Sequence, residues 1–217
     1  MSIRTRLFAA TYDRFIAKTE AAGLAAHRAA LLTGATGRTL EIGGGTGANL
    51  THYGPAVESL TVTEPEPAML KRLRRRAQEV APAAMVLRAP AEDLPFDDAA
   101  FDTVVSTLTL CSVDDQPRAV GELRRVLRPG GRVAILEITR PRGVLAPFYR
   151  LWFDGLVPLL GKALPGGSAY TYLPASVRRF PGPEELVELL RAARFGDVRW
   201  KTFAGGIVAL HIGVASA

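Results

Sequence analysis

The sequence predicts an α/β fold: a doubly wound, mostly parallel sheet of seven strands, with the last strand antiparallel and helices ahead of the first. Three observations point to it. Short apolar runs alternate with helical patterns from Arg38 to Thr139, as expected for parallel strands joined by crossover helices. "LEIGGGTGAN", Leu40 to Asn49, ends an apolar run in an acid and then places four glycines within five residues, the form of a strand turning into a nucleotide-holding loop. The chain closes with two strand patterns separated only by Ala204 to Gly206. No crossover helix fits between them, so they pair as an antiparallel hairpin.

The elements follow in order. Arg4 to Leu32 is Ala-rich with apolar residues at helical spacing and predicts two helices. Strands are expected at Arg38 to Ile42, Ser59 to Glu64, Ala84 to Arg88, Phe101 to Leu108 and Arg132 to Thr139. Between them, a helix begins at Thr46 and runs to Tyr53. A second spans Glu66 to Glu79, opened by Pro67 and closed by Ala81 to Ala83. A third runs from Gln116 to Leu127 and ends at the turn Arg128 to Gly131. A last helix, Glu184 to Ala193, precedes the hairpin strands Phe195 to Phe203 and Ile207 to Ala215.

Composition narrows the class. A chain of 217 residues, 48% hydrophobic and 22% charged, suits one globular domain with a full core. Residues 1–33 are expected as an N-terminal helical lid and 144–182 as a lid over the substrate. With Cys111 as the lone cysteine no disulfide framework forms, and a cytoplasmic location is expected. The N-terminus lacks a signal-peptide core. The most apolar stretch, Leu145 to Leu164, is broken by Arg150, Asp154 and Lys162, so no membrane span is expected. The net charge of +6 comes from arginines spread along the chain. Its one dense run, Lys71 to Arg76, alternates with Leu70 and Leu73 as a solvated helix face does and lacks the interleaved aromatics of a single-strand nucleic-acid platform. No nucleic-acid partner and no metal are expected. A peripheral membrane contact and a homodimer remain open.

The glycine stretch also satisfies a dinucleotide fingerprint, so the acids around it decide the ligand. Glu41, two residues before Gly43, suits a cationic amino group and repels a pyrophosphate. S-adenosylmethionine carries such a group. Gly43, Gly45 and Gly47 let the backbone approach a ligand. Glu64, followed by Pro65, ends the second strand where a carboxylate can take both ribose hydroxyls, and no Arg directly follows to favour a phosphate.

With these blocks in register from Tyr12 to Gly213, the sequence resembles the class I S-adenosylmethionine-dependent methyltransferases. The resemblance implies that Ala89 to Ser106 lies beside the adenine, with Ala91 and Glu92 at the cofactor, and that Thr107 faces it from the end of the fourth strand. The usual G-D-A before E-D-L-P-F reads Ala89-Pro90-Ala91 here, so Glu92 or Asp93 is left to replace the missing carboxylate.

The C-terminal third, Tyr170 to Gly213, resembles the ubiquinone/menaquinone biosynthesis C-methyltransferases, as do "LEITRP" (Leu136 to Pro141) and Tyr12-Asp13 near the N-terminus. That resemblance implies C-methylation of a quinol-like or phenolic apolar small molecule. Tyr12, Tyr170 and Arg178 are the catalytic candidates, with Arg178 as the cation for a phenolate. Tyr149, Trp152, Tyr172 and Ser176 are the substrate candidates. Arg178 as a surface arginine and Tyr172 as a core residue stay open as the structural alternatives. "STLTLCSVDD", Ser106 to Asp115, is instead similar to membrane-associated thiol methyltransferases. S- or N-methylation of a small thiol or amine is therefore the alternative, and RNA methylation a more distant one. Cys111 is assigned no catalytic role.

Overall fold

The computed structural model describes residues 23–140 and 180–217. Within them, α1 spans Ala25–Leu32, β1 Gly37–Ile42, β2 Val57–Thr63, α2 Pro67–Val80, β3 Met85–Leu87, β4 Phe101–Thr107, α3 Gln116–Val126 and β5 Leu127–Ile138. After these come α4 (Pro183–Ala192), β6 (Phe195–Phe203) and β7 (Val208–Ala215). The strands form a seven-stranded sheet in the order β3-β2-β1-β4-β5-β7-β6. β1 to β5 are parallel, and β7 runs antiparallel between β5 and β6. The predicted seven strands, their alternation with helices beyond β2 and the antiparallel ending are all present.

Side chains on adjacent strand residues point to opposite faces, and the core divides accordingly. Val104, Val133 and Ile135 pack with Val120 and Leu123 of α3 and Leu186 and Leu190 of α4. Their neighbours Val105, Ala134 and Leu136 pack on the other face with Leu31 and Leu32 of α1. Val62 of β2 packs with Leu70, Leu73 and Ala77 of α2. Each helix presents an apolar stripe, so each covers one patch of sheet.

Helix starts are set locally. Glu66 caps α2 by accepting the Ala68 amide, with Pro67 in the first turn. Asp115 caps α3 by accepting the Arg118 amide at 3.0 Å. In α4 the Glu185 carboxylate reaches back to the Gly182 amide at 2.7 Å. These interactions satisfy amides that have no partner inside the helix.

Two expectations are corrected. Thr46 to Tyr53 is a run of turns, not a helix. The amides of Gly47, Leu50 and His52 bond three residues back, to Gly44, Gly47 and Asn49, while Gly45 and Gly47 hold positive φ, which blocks helical continuation. Arg128 to Gly131 does not separate helix from strand. β5 already begins at Leu127 and absorbs the residues as an irregularity, with the register on β4 shifting between Phe101 and Thr103. Of the two helices predicted before β1, α1 is described. Residues 1–22, and 144–179 of the expected 144–182 lid, lie outside the described residues.

The chain winds outward from β1 to β3, returns to β4 and then continues through β5 to the other side. A crevice therefore opens where β1 and β4 lie side by side, outside their carboxyl ends. There Glu41 is in register with Val105, and Ile42 with Ser106.

Candidate active site

The crevice is lined by Arg28, Glu41, Gly43 to Thr46, Ala48, Asn49, Thr107 and Leu108. α1 contributes the arginine, β1 the acid, the glycine turn the floor and β4 the far wall. Glu41 is 2% exposed. It accepts hydrogen bonds from Asn49 Nδ2 at 2.9 Å and from the Tyr53 hydroxyl at 2.7 Å. Asn49 also donates to Thr107 Oγ1 at 2.9 Å, and Arg28 Nη1 donates to Asn49 Oδ1 at 2.6 Å and to Thr107 Oγ1 at 3.1 Å. Burial pushes the Glu41 carboxyl up to about 7, against the Tyr53 and Asn49 bonds and the Arg28 charge, which all pull it down. The same burial and the facing Glu41 push the Tyr53 phenol well above its ordinary value.

Glu64 ties the second strand to the glycine turn. Its Oε2 accepts the Gly45 amide and its Oε1 the Glu66 amide, both at 2.9 Å. Each oxygen accepts one bond, so each keeps a lone pair for another donor. Burial raises this carboxyl too, opposed by those two amides.

The glycines divide by role. At Gly45, with φ +57°, a Cβ would meet nothing within 4 Å, so the backbone is open to a ligand. At Gly43 a Cβ would run into the Thr109 side chain, and at Gly47 it would lie 2.8 Å from Leu50 Cδ1. Those two glycines let the chain pack on itself. Pro65 is exposed, its carbonyl accepting from Arg88 Nε at 3.0 Å. Ala91 is buried in the core beside Leu94, and Glu92 accepts the Asp114 amide at 2.9 Å, which ties the loop after β3 to the start of α3. Tyr12, Tyr149, Trp152, Tyr170, Tyr172, Ser176 and Arg178 lie outside the described residues. Among the described residues no cluster of His, Cys, Asp and Glu could hold a metal ion, and no helix is long and apolar enough to cross a membrane.

Sequence reasoning missed four partners of the crevice: Arg28, Asn49, Tyr53 and Glu137. Arg28 carried a weak signal, a charge inside the apolar "AAHRAALL" of α1. Glu137 carried a better one. Leu136-Glu137-Ile138 ends β5 in the same triplet with which Leu40-Glu41-Ile42 ends β1, on either side of β4. Glu137 is 0% exposed. Its Oε1 accepts the amides of Thr109 at 2.7 Å and Leu110 at 2.6 Å, and burial pushes it up to about 7.

The model of the ubiE/COQ5 methyltransferase family matches residues 19–215. The chain belongs to that family. A demethylmenaquinone methyltransferase of Roseiflexus castenholzii is 39% identical over 82% of this chain and 76% of its own length. A ubiquinone/menaquinone biosynthesis C-methyltransferase UbiE of Psychromonas ingrahamii is 34% identical over 81% and 73%. A mitochondrial 2-methoxy-6-polyprenyl-1,4-benzoquinol methylase of Leishmania donovani is 39% identical over 58% and 44%. Among solved structures, a Thermotoga maritima S-adenosylmethionine-dependent methyltransferase, described as a possible histamine N-methyltransferase, superposes with a TM-score of 0.71 at 23% identity over 98% of both chains. That likeness carries the fold.

S-adenosylmethionine is the methyl donor of the ubiE/COQ5 family and of such neighbours, and the crevice residues fit it. The open side of Gly45, the spare lone pairs of Glu64 and the buried acid Glu41 offer such a molecule backbone access, hydrogen-bond acceptors and a carboxylate.

Proposed function

We propose that the chain methylates a ring carbon of a quinol-like or phenolic apolar small molecule. The single observation that carries this reading is the family match together with the demethylmenaquinone methyltransferase relative over most of both chains.

The bound donor supplies an electrophilic methyl group on a sulfonium. Glu64 would hold the ribose hydroxyls, Glu41 the amino group, and the open backbone of Gly45 the approach between them. Glu41 does this from a braced position: Asn49 and Tyr53 occupy one lone pair on each oxygen, and Arg28 holds Asn49. A brace of this kind fixes the donor before the acceptor arrives, so less order must be imposed at the reacting moment.

A phenol is a poor carbon nucleophile until its proton leaves. Charge must therefore be stabilised on the acceptor oxygen while the ring carbon forms its new bond, and the ring proton then leaves to restore aromaticity. Arg178 is the proposed cation, and Tyr170 and Tyr12 are the other proposed catalytic residues. Tyr149, Trp152, Tyr172 and Ser176 are the proposed walls of an apolar acceptor channel under the lid of residues 144–182, with 1–33 closing the other side of a single domain. A channel of that character suits a prenyl-bearing acceptor and a transient membrane contact during loading. No nucleic acid takes part, and a cytoplasmic enzyme working on its own or as a homodimer is the expected form.

The test is methyl transfer from labelled donor to a reduced demethylnaphthoquinol, to small thiols and amines, and to total RNA in parallel. Label in the naphthoquinol supports the proposal. Label confined to thiols, amines or RNA defeats it.

A further inference from the structure

Glu137 has more structure around it than a core acid requires. It stands next to last in β5 with no exposure to solvent; its Oε1 accepts the amides of Thr109 and Leu110, and the Cys111 thiol and amide bond to the same carboxyl. Among the described residues, the other oxygen is buried without a hydrogen-bond partner. Burying a carboxyl lowers stability unless its bonds offset the cost, and here those bonds all go to one turn, Thr109 to Cys111.

What the bonded oxygen holds is more informative. Thr107 and Leu108 line the crevice, and the two amides that Glu137 holds come directly after them. Thr109 reaches onward: its hydroxyl lies 3.2 Å from the Gly43 carbonyl and 3.3 Å from that of Ile42. The missing Cβ of Gly43 leaves the space that the Thr109 side chain fills. A continuous set of contacts thus runs from β5 through the turn after β4 to the glycine turn after β1.

We infer that Glu137 is a positioning residue for methyl transfer: its Oε1 sets the turn after β4, and that turn sets both the wall at Thr107 and Leu108 and the glycine turn that faces the donor. The inference rests on the methyltransferase reading above, but its binding arm does not depend on the acceptor. Glu137 touches neither substrate nor donor. It acts through Thr109 and Leu110, and what the site needs from it is an acceptor at a fixed distance, not a negative charge.

The test uses the full chain with Glu137→Gln, which keeps an acceptor oxygen at the same reach, and Glu137→Ala, which removes it. Turnover, affinity for S-adenosylhomocysteine by calorimetry and a thermal melt are measured on each, with rates taken well below the melting temperature. Glu137→Ala is expected to lose at least tenfold in turnover and several-fold in affinity, and Glu137→Gln to recover most of both. If Glu137→Ala does not fold, Glu137→Asp replaces it. That variant keeps the acid but withdraws the acceptor by one methylene, and it should show the same losses. An Ala or Asp variant that melts lower yet binds and turns over like the wild type would overturn the inference, because the role would then be structural only. A Gln variant as damaged as Ala would also overturn it, because the acid itself would then be what the site uses. If the wild type methylates no quinol, the proposed acceptor fails while the affinity series still decides the role of Glu137.

Discussion

The Gly45 amide donates to Glu64 Oε2 at 2.9 Å, so the most open point of the glycine turn is held by the acid that directly follows β2. The turn and the proposed ribose acceptor therefore form one unit. Glu64→Ala removes that brace and the ligand's acceptor together, and both losses act on the donor. Removing a buried acceptor costs about 1.5–3 kcal/mol, so calorimetric titration with S-adenosylhomocysteine should show affinity reduced by one to two orders of magnitude. Unchanged affinity would remove Glu64 from the site.

A second prediction follows from Glu41. With its carboxyl pushed up to about 7, a substantial fraction of the empty protein carries a proton there near neutrality. A cationic amino group placed beside it favours the ionised form. Donor binding at pH 6.5–7 should therefore release a fraction of a proton, read as a dependence of the calorimetric heat on buffer ionisation enthalpy. Glu41→Gln should abolish most of that release. Equal release by wild type and variant would place the cation elsewhere.

The same groups set the pH dependence of stability. Glu41 and Glu137 are raised from 4.5 to about 7 in the folded chain. Below pH 4.5 both folded and unfolded chains hold these protons, and between 4.5 and 7 only the folded chain does. Their contribution is thus fully present below the unfolded value and is lost as pH rises through 7, by about 3 kcal/mol per group. His211 acts in the opposite direction. Burial lowers its value, despite the bond between its Nε2 and the Pro183 carbonyl, so the unfolded chain takes up a proton first and stability falls as pH drops below 6.5. Denaturant unfolding of the empty protein across pH 5 to 8 should show a decline toward neutrality that is flattened in Glu41→Gln and Glu137→Gln. An undiminished decline in both variants would contradict the assignment.

Much of the sheet was legible in advance because buried parallel strands read as apolar runs bounded by turns, and "RTLEI", "FDTVVSTL" and "RVAILEIT" are such runs. The glycine turn was legible as a site, but its exit was not. Three residues at positive φ around Gly45 prevent the helix that Thr46 to Tyr53 otherwise suggests. That loss of helical spacing also hid Asn49 and Tyr53, whose meeting at Glu41 depends on successive tight turns. Glu92 and Asp93 were both left to replace the missing carboxylate; one oxygen of Glu92 is taken by the Asp114 amide, a tertiary bond that no local pattern announces. Arg28 reaches the crevice only because α1 packs across Val105 and Leu136.

Tyr12 carries the prediction for the N-terminal segment. It sits between Phe8 and Phe15 at helical spacing, as one polar atom on an apolar face would in a helix folded over the crevice. Such a cover excludes water and aligns acceptor with methyl. Tyr12→Phe should lower turnover more than donor affinity, and deleting Met1 to Lys18 should abolish turnover while the sheet still folds. A normal rate in Tyr12→Phe, with a truncation that costs only melting temperature, would assign the segment to packing.

The most direct measurement is the identity of the bond formed. Carbon-13-methyl donor, purified chain and a reduced demethylnaphthoquinol are incubated together, and the product is examined by nuclear magnetic resonance. The expected result is a labelled methyl on a ring carbon, with the proton that this carbon carried lost. A labelled methyl on oxygen, or transfer only when a thiol or amine replaces the quinol, would contradict C-methylation of a quinol-like acceptor.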